Sequence, residues 1–89
     1  IHGPDPASSL EAYPNPSRGS FVIRYDLTGL PSESRLIIAD ALGRVIEQFD
    51  PPNLKGQWIP SGYYAHGVYL LWVDSAGEKS QPLSLISGQ

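Results

Sequence analysis

The chain has 89 residues, of which 40% are hydrophobic and 17% charged, with a net charge of −3 and an isoelectric point of about 5.1. That length holds one domain, and the composition is too apolar for a disordered segment. The six Lys and Arg residues are scattered, which argues against a nucleic-acid partner. No apolar run approaches the roughly 20 residues of a membrane-spanning helix, so stable membrane insertion is not expected.

The first twelve residues, Ile1 to Ala12, read as a linker from an upstream domain, leaving residues 13–89 as the folded unit. His2-Gly3-Pro4-Asp5-Pro6-Ala7-Ser8-Ser9 is too rich in proline, glycine and small polar residues for a helix or a central strand. Pro14-Asn15-Pro16-Ser17-Arg18-Gly19 is a turn cluster: each proline fixes its own φ, and Gly19 supplies φ > 0 where the chain reverses. Phe21, Ile23, Tyr25 and Leu27 then alternate with Val22, Arg24 and Asp26, the period of a half-buried strand. Thr28-Gly29-Leu30-Pro31-Ser32 ends it.

Leu36-Ile37-Ile38-Ala39 is an apolar, β-branched run, and Arg44 to Phe49 is its hairpin partner. Between them Asp40 serves as the turn acceptor and Gly43 as the left-handed residue. Gln57-Trp58-Ile59-Pro60 suits a short edge strand, where proline is tolerated. Val68 to Val73 is the most apolar stretch and the expected sheet centre. Asp74-Ser75-Ala76-Gly77 repeats the D-x-x-G turn, and a last strand is expected from about Lys79 to Ile86. Short strands at this spacing, about seven of them, with no sustained helical period, predict an antiparallel β-sandwich.

Residues that carry chemistry are sparse. The histidines His2 and His66 fall in the linker and in a loop, without a third ligand for a metal. No G-x-S-x-G, phosphate-cradling glycine loop or calcium-loop run is present. Asp40 and Asp74 are turn residues, and Asp26 and Glu47 fall at strand positions that face water. Neither a catalytic residue nor a cofactor or metal is expected. The aromatic residues Trp58, Tyr63, Tyr64, Tyr69 and Trp72 gather in the second half. An exposed row of them suits sugar binding, but aromatics are also strand formers and core fillers. Tyr63 and Tyr64, in a loop, are the freest to bind.

With strands and turns placed, the sequence resembles the type A C-terminal sorting domain of the type IX secretion system, the Por secretion system tail, from about Tyr13 to Ile86. The resemblance is carried by Tyr13-Pro14-Asn15-Pro16 with Gly19, by the strand Phe21 to Tyr25, by Ile38-Ala39-Asp40-Ala41-Leu42-Gly43-Arg44-Val45, by Gly67-Val68-Tyr69-Leu70-Leu71, and by the closing strand Pro82 to Ile86. The family's basic-plus-aliphatic ending is absent; the chain runs Leu85-Ile86-Ser87-Gly88-Gln89.

The resemblance implies an Ig-like sandwich that is not an enzyme but an export address on a larger bacterial cargo. The lack of any methionine fits a fragment or processed product. The cargo is expected to cross the periplasm and leave through the type IX outer-membrane translocon, reaching the cell surface or medium. A shuttle protein and a cell-surface signal peptidase are the further partners implied. Recognition is expected at Gly67, Val68, Tyr69, Lys79, Leu83, Leu85 and Ile86, through an accessible edge or terminal strand. Cleavage is expected in the linker, around Gly3, Ala7, Ser8 and Ser9, with attachment of the cargo to the surface. The alternative readings are a carbohydrate-binding sandwich and a structural Ig-like accessory module of a secreted hydrolase.

Overall fold

A computed structural model describes residues 8–30, 33–62 and 64–88. The expectations for His2, Gly3, Ala7, Pro31, Ser32, Tyr63 and Gln89 therefore concern residues outside the described ones. Among the described residues the chain forms eight strands and no helix: β1 (Ser8–Tyr13), β2 (Val22–Leu27), β3 (Ser34–Asp40), β4 (Val45–Phe49), β5 (Lys55–Trp58), β6 (Gly67–Ser75), β7 (Glu78–Lys79) and β8 (Leu83–Ser87). All strand pairings are antiparallel. One sheet has the order β1-β2-β5; the other has β4-β3-β6, with β7 and β8 lying end to end along the far side of β6. The result is an all-β, Ig-like sandwich.

The core is the space between the sheets, and period two fills it. Phe21, Ile23, Tyr25 and Leu27 face inward from the first sheet and meet Leu36, Ile38, Leu71, Val73 and Leu85 from the second. β3 is apolar on both faces, so Ile37 and Ala39 point away from this core and pack with Trp72 in a second cluster on the sheet's outer side. The sheet centre is β6, as its apolar sequence predicts.

The β3–β4 hairpin is closed by Asp40. One carboxylate oxygen accepts from the backbone N–H of Leu42 and of Arg44, each at 2.9 Å, and the other accepts from the Arg44 guanidinium at 2.8 Å. Gly43 adopts φ 91° and donates its N–H to the Asp40 carbonyl at 3.0 Å. The Asp74–Gly77 turn is built differently. Ser75 and Glu78 pair directly, leaving Ala76 and Gly77 as a two-residue loop with φ 51° and 88°. Such a loop needs φ > 0 at both central positions, and Asp74 lies in the ladder opposite Lys79 rather than serving as turn acceptor.

Two boundaries differ from the sequence expectation. The stretch read as linker contributes a strand: β1 pairs with β2 from Ser8↔Leu27 to Tyr13↔Val22, at the sheet edge where a mostly polar segment suffices. The last strand is also broken in two, so that together with β1 the described residues form eight strands where about seven are expected. Between β7 and β8, Ser80 donates its N–H to the Val73 carbonyl at 2.8 Å and accepts the Val73 N–H on its hydroxyl at 2.9 Å. Pro82, with no N–H, cannot continue the ladder.

Candidate functional site

Phe21, Tyr25, Trp58 and Tyr64 build the interior, whereas Tyr13 is exposed and Trp72 packs on the outer side of the second sheet. Tyr64 is only 3% exposed, with its ring edge-on to Phe21 and Tyr69. Trp58 stacks on Phe49 at 4.8 Å between centroids. Trp72 lies flat enough on the outer cluster to be buried, beneath the Lys79 ammonium at 4.4 Å. The expectation that Tyr64 is free to bind a ligand is thus overturned, because its loop folds the ring into the core. The described aromatics form no exposed planar row of the kind a sugar platform needs.

Glu47 also departs from its expected role as a solvated strand residue. Its carboxylate accepts from the Tyr64 hydroxyl at 2.6 Å, from the Ser61 N–H at 2.9 Å and from the Ser61 hydroxyl at 3.0 Å. Burial pushes this carboxyl up, but those donors outweigh it and hold it below the ordinary value. Burial, and then the Glu47 charge, push the Tyr64 hydroxyl far up. The carboxylate is a clasp that fastens Ser61 and Tyr64 onto β4. Sequence reasoning missed it because the partners are 14 and 17 residues apart with no motif between them. Among the described residues no three His, Asp or Glu side chains converge. His66 is exposed, and its ring rests against Gly88, where a Cβ would collide with it.

The two outer faces differ in character. On the three-stranded sheet, Glu11 lies 3.8 Å from Arg24 and Asp26 lies 4.0 Å from Lys55, so charged residues face water. The five-stranded sheet instead turns out Ile37, Ala39, Leu70 and Trp72, with Val45, Ile46, Val68 and Ile86 more exposed beside them. Val68 and Ile86 are direct cross-strand partners, 47% and 45% exposed.

The terminal strand β8 has one neighbour in the ladder, β6, and its other side meets the Pro14–Ser17 turn. Asn15 donates its side-chain amide to the Ser84 carbonyl and accepts the Ile86 N–H on its side-chain carbonyl, both at 2.9 Å. The Ser17 N–H donates to the Ile86 carbonyl at 2.8 Å, and the Gly88 N–H to the Ser17 carbonyl at 2.7 Å. Ser17 is itself buried. Its hydroxyl accepts from the N–H groups of Gly19 and Ser20, both at 3.0 Å, and donates to the Ser20 carbonyl.

Residues 11–86 match the secretion system C-terminal sorting domain family. The chain belongs to that family. No curated protein matches the chain, and no solved structure does.

In this sorting domain the residues expected to be recognised divide by face. Val68 and Ile86 present their side chains on the outer side, and Lys79 is exposed over Trp72. Leu85 is fully buried, and Leu83 and Tyr69 pack against the same core, with the Tyr69 hydroxyl donating to the Ala65 carbonyl at 2.7 Å. Gly67, at φ 154°, starts β6 opposite Ser87. The structure brings Val68, Tyr69, Leu85 and Ile86 together on paired strands, while Lys79 lies on β7, beyond the break. Pro14, Asn15, Pro16 and Gly19 form the turn against β8, a long-range role that their spacing alone does not reveal. The family is one of sorting signals, and no helix among the described residues is long and apolar enough to cross a membrane.

Proposed function

We propose that this domain directs a larger cargo protein, fused upstream, through the type IX outer-membrane translocon to the cell surface or medium. The observation that carries the reading is the family match over residues 11–86. The outer face supports it: a sorting tag needs no cleft, and the domain instead offers an apolar area centred on Val68 and Ile86. In this reading the translocon or its shuttle protein reads the side chains of that face, with Lys79 at its margin. Leu83, Leu85 and Tyr69 contribute indirectly, by holding β8 and β6 in place.

A cell-surface signal peptidase then cuts the linker and the cargo is attached to the surface. Proteases take an extended, unpaired substrate strand, and Ser8 and Ser9 are already paired with Leu27 and Asp26. The cut therefore falls upstream of Ser8, in the stretch that includes Gly3 and Ala7.

The test is a reporter carrying an N-terminal export signal and this chain at its C-terminus, expressed in a bacterium with this secretion system. Surface or medium location that is lost on replacing Ile86 by Asp, in a variant that still folds, supports the reading. A wild-type fusion held in the periplasm with its domain folded sinks it.

A further inference from the structure

Sheet edges invite pairing with other strands, and folded proteins guard them with charge, proline, bulges or brevity. Three edges of this sandwich carry such guards. β1 contains Glu11, and β5 is four residues long with Lys55 at its start. β4 pairs through a register shift opposite Ile38 and Ala39 and contains Glu47. β8 has none of these. Leu83-Ser84-Leu85-Ile86-Ser87 is uncharged, free of proline and regularly paired with β6 throughout.

Its guard is supplied from 71 positions away. In a parallel ladder a neighbouring strand takes the C=O of residue i−1 and the N–H of residue i+1, which point to the same side, as Ser17 does in its parallel bridge with Ser87. The Asn15 carboxamide makes the same pair of contacts with its side chain, taking the Ile86 N–H and the Ser84 carbonyl at once. Pro14 and Pro16 flank it with no N–H of their own, so the segment cannot itself extend the sheet. Ser17 continues the cover by taking the Ile86 carbonyl and the Gly88 N–H.

We propose that Asn15 is a side-chain edge cap, and that the strand it keeps out is β8 of a second copy of this chain. A second β8 matches the uncapped edge in length and in apolar spacing, and its own Ser84 and Ile86 present the same outward groups. The cap leaves the outer side chains of Val68 and Ile86 uncovered, so it withholds the backbone of the terminal strand without hiding its face.

The experiment compares the full 89-residue chain with Asn15→Ala and Asn15→Asp. Hydrogen exchange is read at the Ile86 amide and association by analytical ultracentrifugation. The wild type is expected to stay monomeric. In Asn15→Ala the Ile86 amide exchanges at least about tenfold faster at low concentration, where the chain is monomeric, and a concentration-dependent dimer forms. A Ser84→Cys label then cross-links between copies in that variant alone. Asn15→Asp keeps the acceptor for Ile86 but loses the donor for Ser84, so its Ile86 amide stays better protected than in Asn15→Ala and it dimerises more weakly than that variant. Folded variants that remain monomeric at millimolar concentration overturn the proposal, as does a wild type that dimerises equally. Neither result bears on export, which the reporter fusion tests separately.

Discussion

Leu85 and Ile86 are neighbours in β8 that face opposite ways, and they allow folding and addressing to be separated. Leu85 is fully buried among Phe21, Ile23 and Leu71, whereas Ile86 is 45% exposed beside Val68. Leu85→Ala removes buried carbons worth about 0.8 kcal/mol each, and incomplete collapse of the cavity brings the cost to about 3–4 kcal/mol. A domain of this size has a total stability of roughly 4–13 kcal/mol, so the variant stands near its unfolding threshold. Ile86→Thr keeps the β-branch, loses only half-exposed apolar surface, and costs under about 1 kcal/mol. Urea titration followed by fluorescence of the buried Trp58 and Trp72 reads both values. Reporter export reads the second property: Ile86→Thr is expected to impair sorting while folded, and Leu85→Ala to impair it only in proportion to unfolding. Equal destabilisation by the two, or full export of a folded Ile86→Asp variant, refutes the division of roles by face.

Four further outcomes follow from local geometry. Tyr64→Phe leaves the ring contacts but takes the hydroxyl from the Glu47 carboxylate, at an expected cost of about 1–2 kcal/mol by urea titration. Because the folded Glu47 carboxyl lies below its ordinary value of 4.5, its stabilisation is complete above that value and is lost as pH falls through the folded value. Glu47→Gln should therefore flatten the acid limb of a stability–pH profile, and an unchanged limb counts against the clasp. Ala76 is held at φ 51°, which costs an L-residue roughly 1–2 kcal/mol, so Ala76→Asn is expected to raise Tm by several degrees in calorimetry. At Gly56 a Cβ would lie 2.9 Å from the Tyr25 hydroxyl oxygen, so Gly56→Ala should destabilise by about 1–3 kcal/mol, and a Tyr25→Phe background should relieve part of that loss.

Much of the sandwich was legible because its signals are local. Alternation at Phe21–Leu27 placed β2, the double-sided run at Leu36–Ala39 placed β3, and Asp40 with Gly43 closed the hairpin between them. The family motifs lay in the same order along the chain. What stayed hidden depends on partners far apart in sequence. Ser8–Tyr13 alternates only through Leu10 and Ala12, a pattern too short to stand out beside the prolines before and after it, and it becomes a strand because β2 offers it a ladder and the core a surface. Tyr64 looked like a loop aromatic until Phe21, Tyr69 and Glu47 closed around it. Asn15 carried an obvious turn signal, but nothing in that signal names Ser84 or Ile86 as its partners.

The cover over β8 also sets a schedule. Leu85 completes the core, and Asn15 and Ser17 find their partners only at Ser84, Ile86 and Gly88, so early and late parts of the chain must meet before the sandwich closes. Contacts this distant form slowly, since a long loop must be closed before they contribute. While the first residues of the domain emerge from the ribosome, the strand that would lock them does not yet exist. A nascent chain of this design cannot complete the cover over β8 until Gly88 has been made.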